Sequence, residues 1–215
     1  MPITERPRAD WPLAIALAVL AGFVDAVGFL RIGGLFVSFM SGNSTLLGID
    51  LVNRNAQALM IVALILGFLS GVMVAAILGE RLGKWSPMGM ILFCTALLAW
   101  SALLMVEGPG AVLLAAAMGA LNVVFQRGGG VSMSIPITYV TGTLVRLGQA
   151  LAGALLGIAP AAGWVPYLLL WSGLVLGALG GTYAYDALGT DALWGAASFA
   201  FALAVAAAGR GLSQR

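Results

Sequence analysis

The sequence predicts an all-α polytopic membrane protein made of two inverted three-helix repeats, each with a broken, re-entrant segment. Three observations carry that expectation: a composition too apolar for water, apolar stretches of bilayer-spanning length, and a repeated order of glycine and polar residues. Of the 215 residues, 61% are hydrophobic and 8% are charged. A soluble domain has about 45–50% apolar and about 25% charged residues. The mean hydropathy is +1.06, so the first partner is the lipid bilayer.

The same composition excludes several kinds of chemistry. There is no histidine, hence no imidazole acid, base or metal ligand. The single cysteine, Cys94, cannot close a disulfide or build a thiolate cluster. No basic run suggests nucleic acid. No nucleophile–base pair is visible, so neither an enzyme nor a bound cofactor is expected.

Eight apolar stretches follow one another: 11–30, 35–52, 56–79, 88–106, 110–126, 131–159, 164–183 and 192–208. Six read as plain spanning helices of roughly 20 residues. The stretch 35–52 is interrupted by Ser38, Ser41, Gly42, Asn43, Ser44 and Thr45. The stretch 131–159 is interrupted by Ser132, Ser134, Pro136, Thr138, Thr141, Gly142, Thr143 and Arg146. Broken backbone at membrane depth is tolerated only under protein cover or beside a wet cavity.

Basic residues test the two threadings, because Lys and Arg collect on the cytoplasmic side. Eight crossings divide them five against four. If the two polar stretches return to the side they entered, Arg6, Arg8, Arg81, Lys84, Arg127, Arg210 and Arg215 lie inside, and only Arg31 and Arg54 outside. Six spans plus two re-entrant segments (34–52 and 131–159) are therefore expected, with both termini cytoplasmic.

The halves, 1–108 and 109–215, resemble each other. Gly22, Asp25 and Val27 match Gly119, Asn122 and Val124 at an offset of 97, and Gly33 matches Gly130. Ser41-Gly42-Asn43 matches Thr141-Gly142-Thr143 at an offset of 100. Gly67, Gly71, Ala75 and Gly79 form a small-residue ladder, as do Gly173, Gly177 and Gly181. Such ladders let helix backbones approach closely, within one chain or across a homodimer. Three spans per half would turn the second half upside down, a recurring transporter plan.

The chemistry concentrates at the two tips. Extended-looking runs, 35–40 and 135–140, precede them, and helices over 44–52 and 144–156 are expected to follow. Ser41, Asn43, Thr141 and Thr143 are N-cap types. A buried helix N-terminus offers unpaired amides and partial positive charge, which suits an anion or an electronegative atom. Self-capping by the same side chains is the competing reading. Asp25 is the one acid well inside a predicted span. It either couples protons or accepts hydrogen bonds from the nearby tip. Arg146 either pairs with Asp25, binds an anionic substrate or reaches for the interface. Asp50 and Arg54 read as a surface pair, and Asn122 with Gln126 as one helix face. The candidate substrate-binding set is Asp25, Ser41, Gly42, Asn43, Asn122, Thr141, Gly142, Thr143 and Arg146.

Residues 22–29, 33–43 and 138–144 together resemble the YoaK-type family of small bacterial membrane proteins, over nearly the whole chain. Asp25, the 41–43 tip, Asn122 and the 141–143 tip match its motif positions. The family often has Gln where this chain has Leu121, and Thr where it has Ser41. The resemblance implies a multi-pass protein of the bacterial inner membrane and no settled activity. On the residues, the expected function is secondary transport of a small polar or anionic solute or ion, with the site at the midplane between the tips and proton coupling through Asp25. A passive channel of the same architecture and a non-transporting scaffold or accessory subunit are the alternatives.

Overall fold

The computed structural model describes residues 11–83, 86–106, 108–124 and 138–213. Among these, eight α-helices follow in order: α1 (Trp11–Arg31), α2 (Met40–Asn53), α3 (Gln57–Leu82), α4 (Ser86–Leu103), α5 (Pro109–Leu121), α6 (Val140–Leu155), α7 (Val165–Leu188) and α8 (Ala192–Ser213). The protein is an all-α polytopic membrane protein. α1, α3 and the continuous stretch 165–209 are long and apolar enough to cross a bilayer, and α4 and α5 are shorter apolar helices.

Glycines position the helices. Gly173, Gly177 and Gly181 of α7 lie against the backbone of Ile15, Val19 and Phe23 of α1. Both numbers rise together, so the two helices run parallel. Gly67 and Gly71 of α3 lie in the same way against Val112 and Ala116 of α5. The reverse contacts match too, with Gly22 against Leu174 and Gly119 against Phe68. At each close crossing a methyl group would collide with a backbone carbonyl, and backbone cannot rotate aside. The ladders are therefore used inside the molecule.

α1 and α5 run in opposite directions. Leu114, near the start of α5, lies against Gly28, near the end of α1. The Arg31 Nε donates to the Met105 carbonyl at 3.3 Å, tying the end of α1 to the turn before α5. So α1 ends where α3 and α5 begin, and α7 begins where α1 begins and α5 ends. Each of the short helices α2 and α6 accordingly starts and finishes its excursion at one end of the bundle. With 14 and 16 residues they are about 21 and 24 Å long, short of the roughly 30 Å hydrocarbon core.

Three details differ from the sequence expectation. α2 and α6 start at Met40 and Val140, four residues earlier than expected, because the tip residues occupy the first helical turn instead of preceding it. The N-cap positions are Phe39 and Tyr139, without a side-chain cap, so Ser41, Asn43, Thr141 and Thr143 are not N-caps. α5 ends at Leu121 and not at Gln126, because the amides of Asn122, Val123 and Val124 bond the carbonyls three residues back and tighten the last turn. Gln126 and residues 131–137, with Pro136, lie outside the described residues. The core is built from α1, α3, α4, α5 and α8, with Leu17, Leu20, Leu64, Met90, Leu98, Leu114 and Leu193 fully buried.

Candidate functional site

After α1 the chain reverses at Gly33 and Gly34, both at positive φ (71° and 90°), a conformation that suits glycine. Residues 35–39 then follow an irregular, bent path back past α1, with Leu35, Val37 and Ser38 buried. They pass Asp25, about 9 Å inside the end of α1 at 1.5 Å per residue. The Asp25 Oδ1 accepts from the amides of Val37 and Ser38, both at 3.0 Å.

Asn43 completes the clamp from the other side. It is fully buried, its Nδ2 donates to the Phe36 carbonyl at 2.6 Å, and its Oδ1 accepts from the Phe36 amide at 3.0 Å. One amide group thereby satisfies both backbone groups of a residue that has left regular structure. The first turn of α2 is then closed by bonds from the Met40 amide to Ser38 and from the Asn43 amide to Phe39. The amides of Ser41 and Gly42 find no acceptor among the described residues. Ser44 and Thr45 donate back to the carbonyls of Met40 and Ser41.

The second half repeats this arrangement. The Asn122 Oδ1 accepts from the Thr138 amide at 3.0 Å and from its hydroxyl at 3.1 Å. The Asn122 Nδ2 donates to Met118 at 2.9 Å, which holds the carboxamide in that orientation. The Val140 amide bonds Thr138 and the Thr143 amide bonds Tyr139, matching Met40 and Asn43 at an offset of 100. Thr143 is buried, but its hydroxyl donates to Tyr139 at 3.1 Å. The amides of Thr141 and Gly142 likewise have no acceptor among the described residues.

Two aromatic contacts, Phe39 with Gly42 and Tyr139 with Gly142, were not legible as such. Each ring fills the space that a Cβ at the glycine would need. Phe36 stands edge-on to Phe39, with ring centroids 5.2 Å apart, and Phe29 lies 4.8 Å from Phe36. The signal was present in the pattern aromatic–x–x–glycine at 39–42 and 139–142.

The structure brings Asp25, Ser38 and Asn43 together, and separately Asn122, Thr138 and Thr143. It does not pack α2 extensively against α6. Arg146 is half-buried on α6. It forms no ion pair with Asp25, and no ion pair joins Asp50 to Arg54, where the Asp50 carboxylate accepts from Asn55 at 3.2 Å. An open groove of about 410 Å³ lies on the outer face of α2, lined by Thr45, Gly48, Ile49, Val52 and Asn53.

Such a molecule belongs to the class of multi-pass helical membrane proteins whose short interrupted helices are pinned by polar side chains within the bundle. More narrowly, residues 13–206 match the family described as Protein of unknown function (DUF1275), and the chain belongs to it. It is 36% identical over 197 residues to the UPF0700 transmembrane protein RA0705 of Rhizobium meliloti, covering 89% of this chain and 84% of that protein. It is 28% identical over 151 residues to the UPF0700 transmembrane protein YoaK of Bacillus subtilis, covering 65% and 66%. No solved structure matches.

Proposed function

We propose that the protein is a secondary transporter for a small polar or anionic solute, built from two inverted repeats whose re-entrant helices α2 and α6 supply the binding groups. The helix contacts support the repeat, because α1 pairs with α7 as α5 pairs with α3, at matching positions and with α1 opposed to α5. They also favour six crossings over eight, because α2 and α6 each leave and return at one end. The second half would then be the first turned over. Inverted repeats with discontinuous helices place substrate groups at half-helix N-termini.

The observation that carries this reading is the doubled tip. Two helices begin inside the bundle, each held open by a polar side chain of a neighbouring helix, and each presents two amides without an acceptor among the described residues. Breaking two helices in lipid is unfavourable unless the bared groups are used. Asp25 and Asn122 occupy equivalent positions, and only Asp25 can carry a proton. That asymmetry supports coupling through the first half. The competing assignment, that Asp25 only pins residues 37 and 38, is favoured by its engaged Oδ1.

Proteoliposomes separate the two. Vesicles loaded with a pH-sensitive dye are challenged with a panel of small carboxylates, inorganic anions and neutral amides under an imposed pH gradient. A coupled carrier gives saturable uphill uptake of one solute class, and Asp25→Asn abolishes the uphill component. Linear flux unchanged in Asp25→Asn identifies a channel. Absence of flux across the panel, with folded protein in the vesicles, refutes transport of these classes and favours a scaffold.

A further inference from the structure

We propose that the end of α6 and the turn after it, residues 151–163, lie in the bilayer interface and are covered by lipid. Leu147 and Ala150, midway along α6, pack with Trp11, Ala14, Tyr167 and Leu170. Those four belong to the first turns of α1 and α7, so the second half of α6 runs past the ends of its neighbours. A segment in that place would ordinarily be polar. Residues 151–163 instead contain no charged or hydrogen-bonding side chain. Leu155 is 88% exposed and Ile158 is 81% exposed.

The corresponding end of α2 is different, with Asp50, Asn53, Arg54 and Asn55 in place. The two short helices share their tips and diverge in what their far ends are built to touch. An apolar patch of this kind in water would be a liability. The bilayer already surrounds α7, whose Leu169, Leu176 and Leu179 are exposed, and α6 packs on α7. The exposed end of α6 therefore continues a surface that lipid already covers.

The backbone is compatible with that placement. In lipid, irregular backbone is tolerated when its polar groups are paired internally. Here Gly157 takes a left-handed conformation at φ 71°. The Ile158 and Ala159 amides both donate to the Gly153 carbonyl, and those of Leu156 and Gly157 to Ala152 and Ala154. The Gly163 amide donates to Pro160, and the Trp164 Nε1 donates to Ala161 at 2.8 Å. Trp11 and Trp164 stand at this end of the bundle, where tryptophan marks the headgroup level. Interfacial helices sink about 5–10 Å below it.

Spin labels test the placement. Cys94 is fully buried, so a nitroxide reagent modifies the introduced thiols of Leu155→Cys, Ile158→Cys and, for comparison, Asn55→Cys at the exposed end of α2. The full chain is placed in nanodiscs of mixed zwitterionic and anionic phospholipid, and collision rates with oxygen and with a water-soluble nickel chelate are measured. Labels at 155 and 158 should meet oxygen freely and nickel several-fold less than the label at 55. Equal nickel access at all three sites would put the segment in water and overturn the proposal. Low access to both reagents at 155 and 158 would mean protein cover, such as a second copy of the chain, and would overturn it as well.

Discussion

Replacing Asp25 by alanine removes the acceptor of two backbone amides at once. Val37 and Ser38 are buried, and their N–H groups sit 3.0 Å from the Asp25 Oδ1. A buried donor left unpaired costs about 1–3 kcal/mol. Partial relaxation of residues 35–39 brings the expected loss for the pair to about 2–4 kcal/mol. In a chain of this length each kcal/mol moves the midpoint by about 2–4 °C, so Asp25→Ala should melt roughly 5–15 °C lower. Asp25→Asn is the informative companion. Asn122 does the equivalent work with a carboxamide oxygen, taking the Thr138 amide at 3.0 Å. Asparagine at 25 should therefore keep the segment docked and lose about 1 kcal/mol or less. The assay uses the chain's own reporter, since Cys94 is its one cysteine and is fully buried. A thiol-reactive fluorogenic dye in detergent reports unfolding directly. If Asp25→Ala melts with the wild type, or Asp25→Asn falls as far as Asp25→Ala, the pinning argument is wrong.

Other substitutions test the remaining joints. Asn43→Ala strands both the N–H and the carbonyl of Phe36 and should cost about 2–4 kcal/mol. Asn43→Asp, whose ionised carboxylate would face the Phe36 carbonyl instead of donating to it, should recover none of that loss in a melt near pH 8. Gly177→Val or Gly71→Val drives a side chain into the backbone of Val19 or Ala116 and should cost upward of about 1–3 kcal/mol. Folded yield by size-exclusion chromatography reads this, and a wild-type yield would contradict the close crossing. Gly42→Ala pushes the Phe39 ring off the first turn of α2. It should speed modification of a Ser41→Cys thiol relative to Ser41→Cys alone, and an unchanged rate would show that the ring does not shield the tip.

Helix positions were legible because lipid demands continuous apolar runs: the stretches 11–30, 56–79 and 88–106 became helices within three residues of both expected ends, while α5, α7 and α8 start where expected and end about five residues away from the expected limit. The tips were legible in identity and misplaced in role. Ser, Thr and Asn at 41–43 and 141–143 look like caps because their side chains compete for backbone amides. Yet Asn43 reaches back to Phe36, and Thr143 to Tyr139. The choice between capping and bridging depends on where the run before each tip lies, and that is set by Asp25 and Asn122 on other helices. The paired placement of Asp25 with residues 37 and 38 was half-legible as one of two readings. The aromatic cover of Gly42 and Gly142 needed the fold of the loop.

Taken alone, the sequence determines a membrane environment and the rough limits of the helices, and it raises the expectation of two related halves. These follow from local rules: hydropathy, the length of a span and the recurrence of glycine. The tertiary structure decided that the ladders of α3 and α7 close on α5 and α1, and that the segments leading into α2 and α6 are pinned by Asp25 and Asn122. Those outcomes rest on contacts between residues far apart in the chain, such as Gly177 with Val19 and Arg31 with Met105. No local pattern encodes which helix a glycine face will meet, because every small-residue ladder is complementary to every other until the chain's connections exclude all but one pairing.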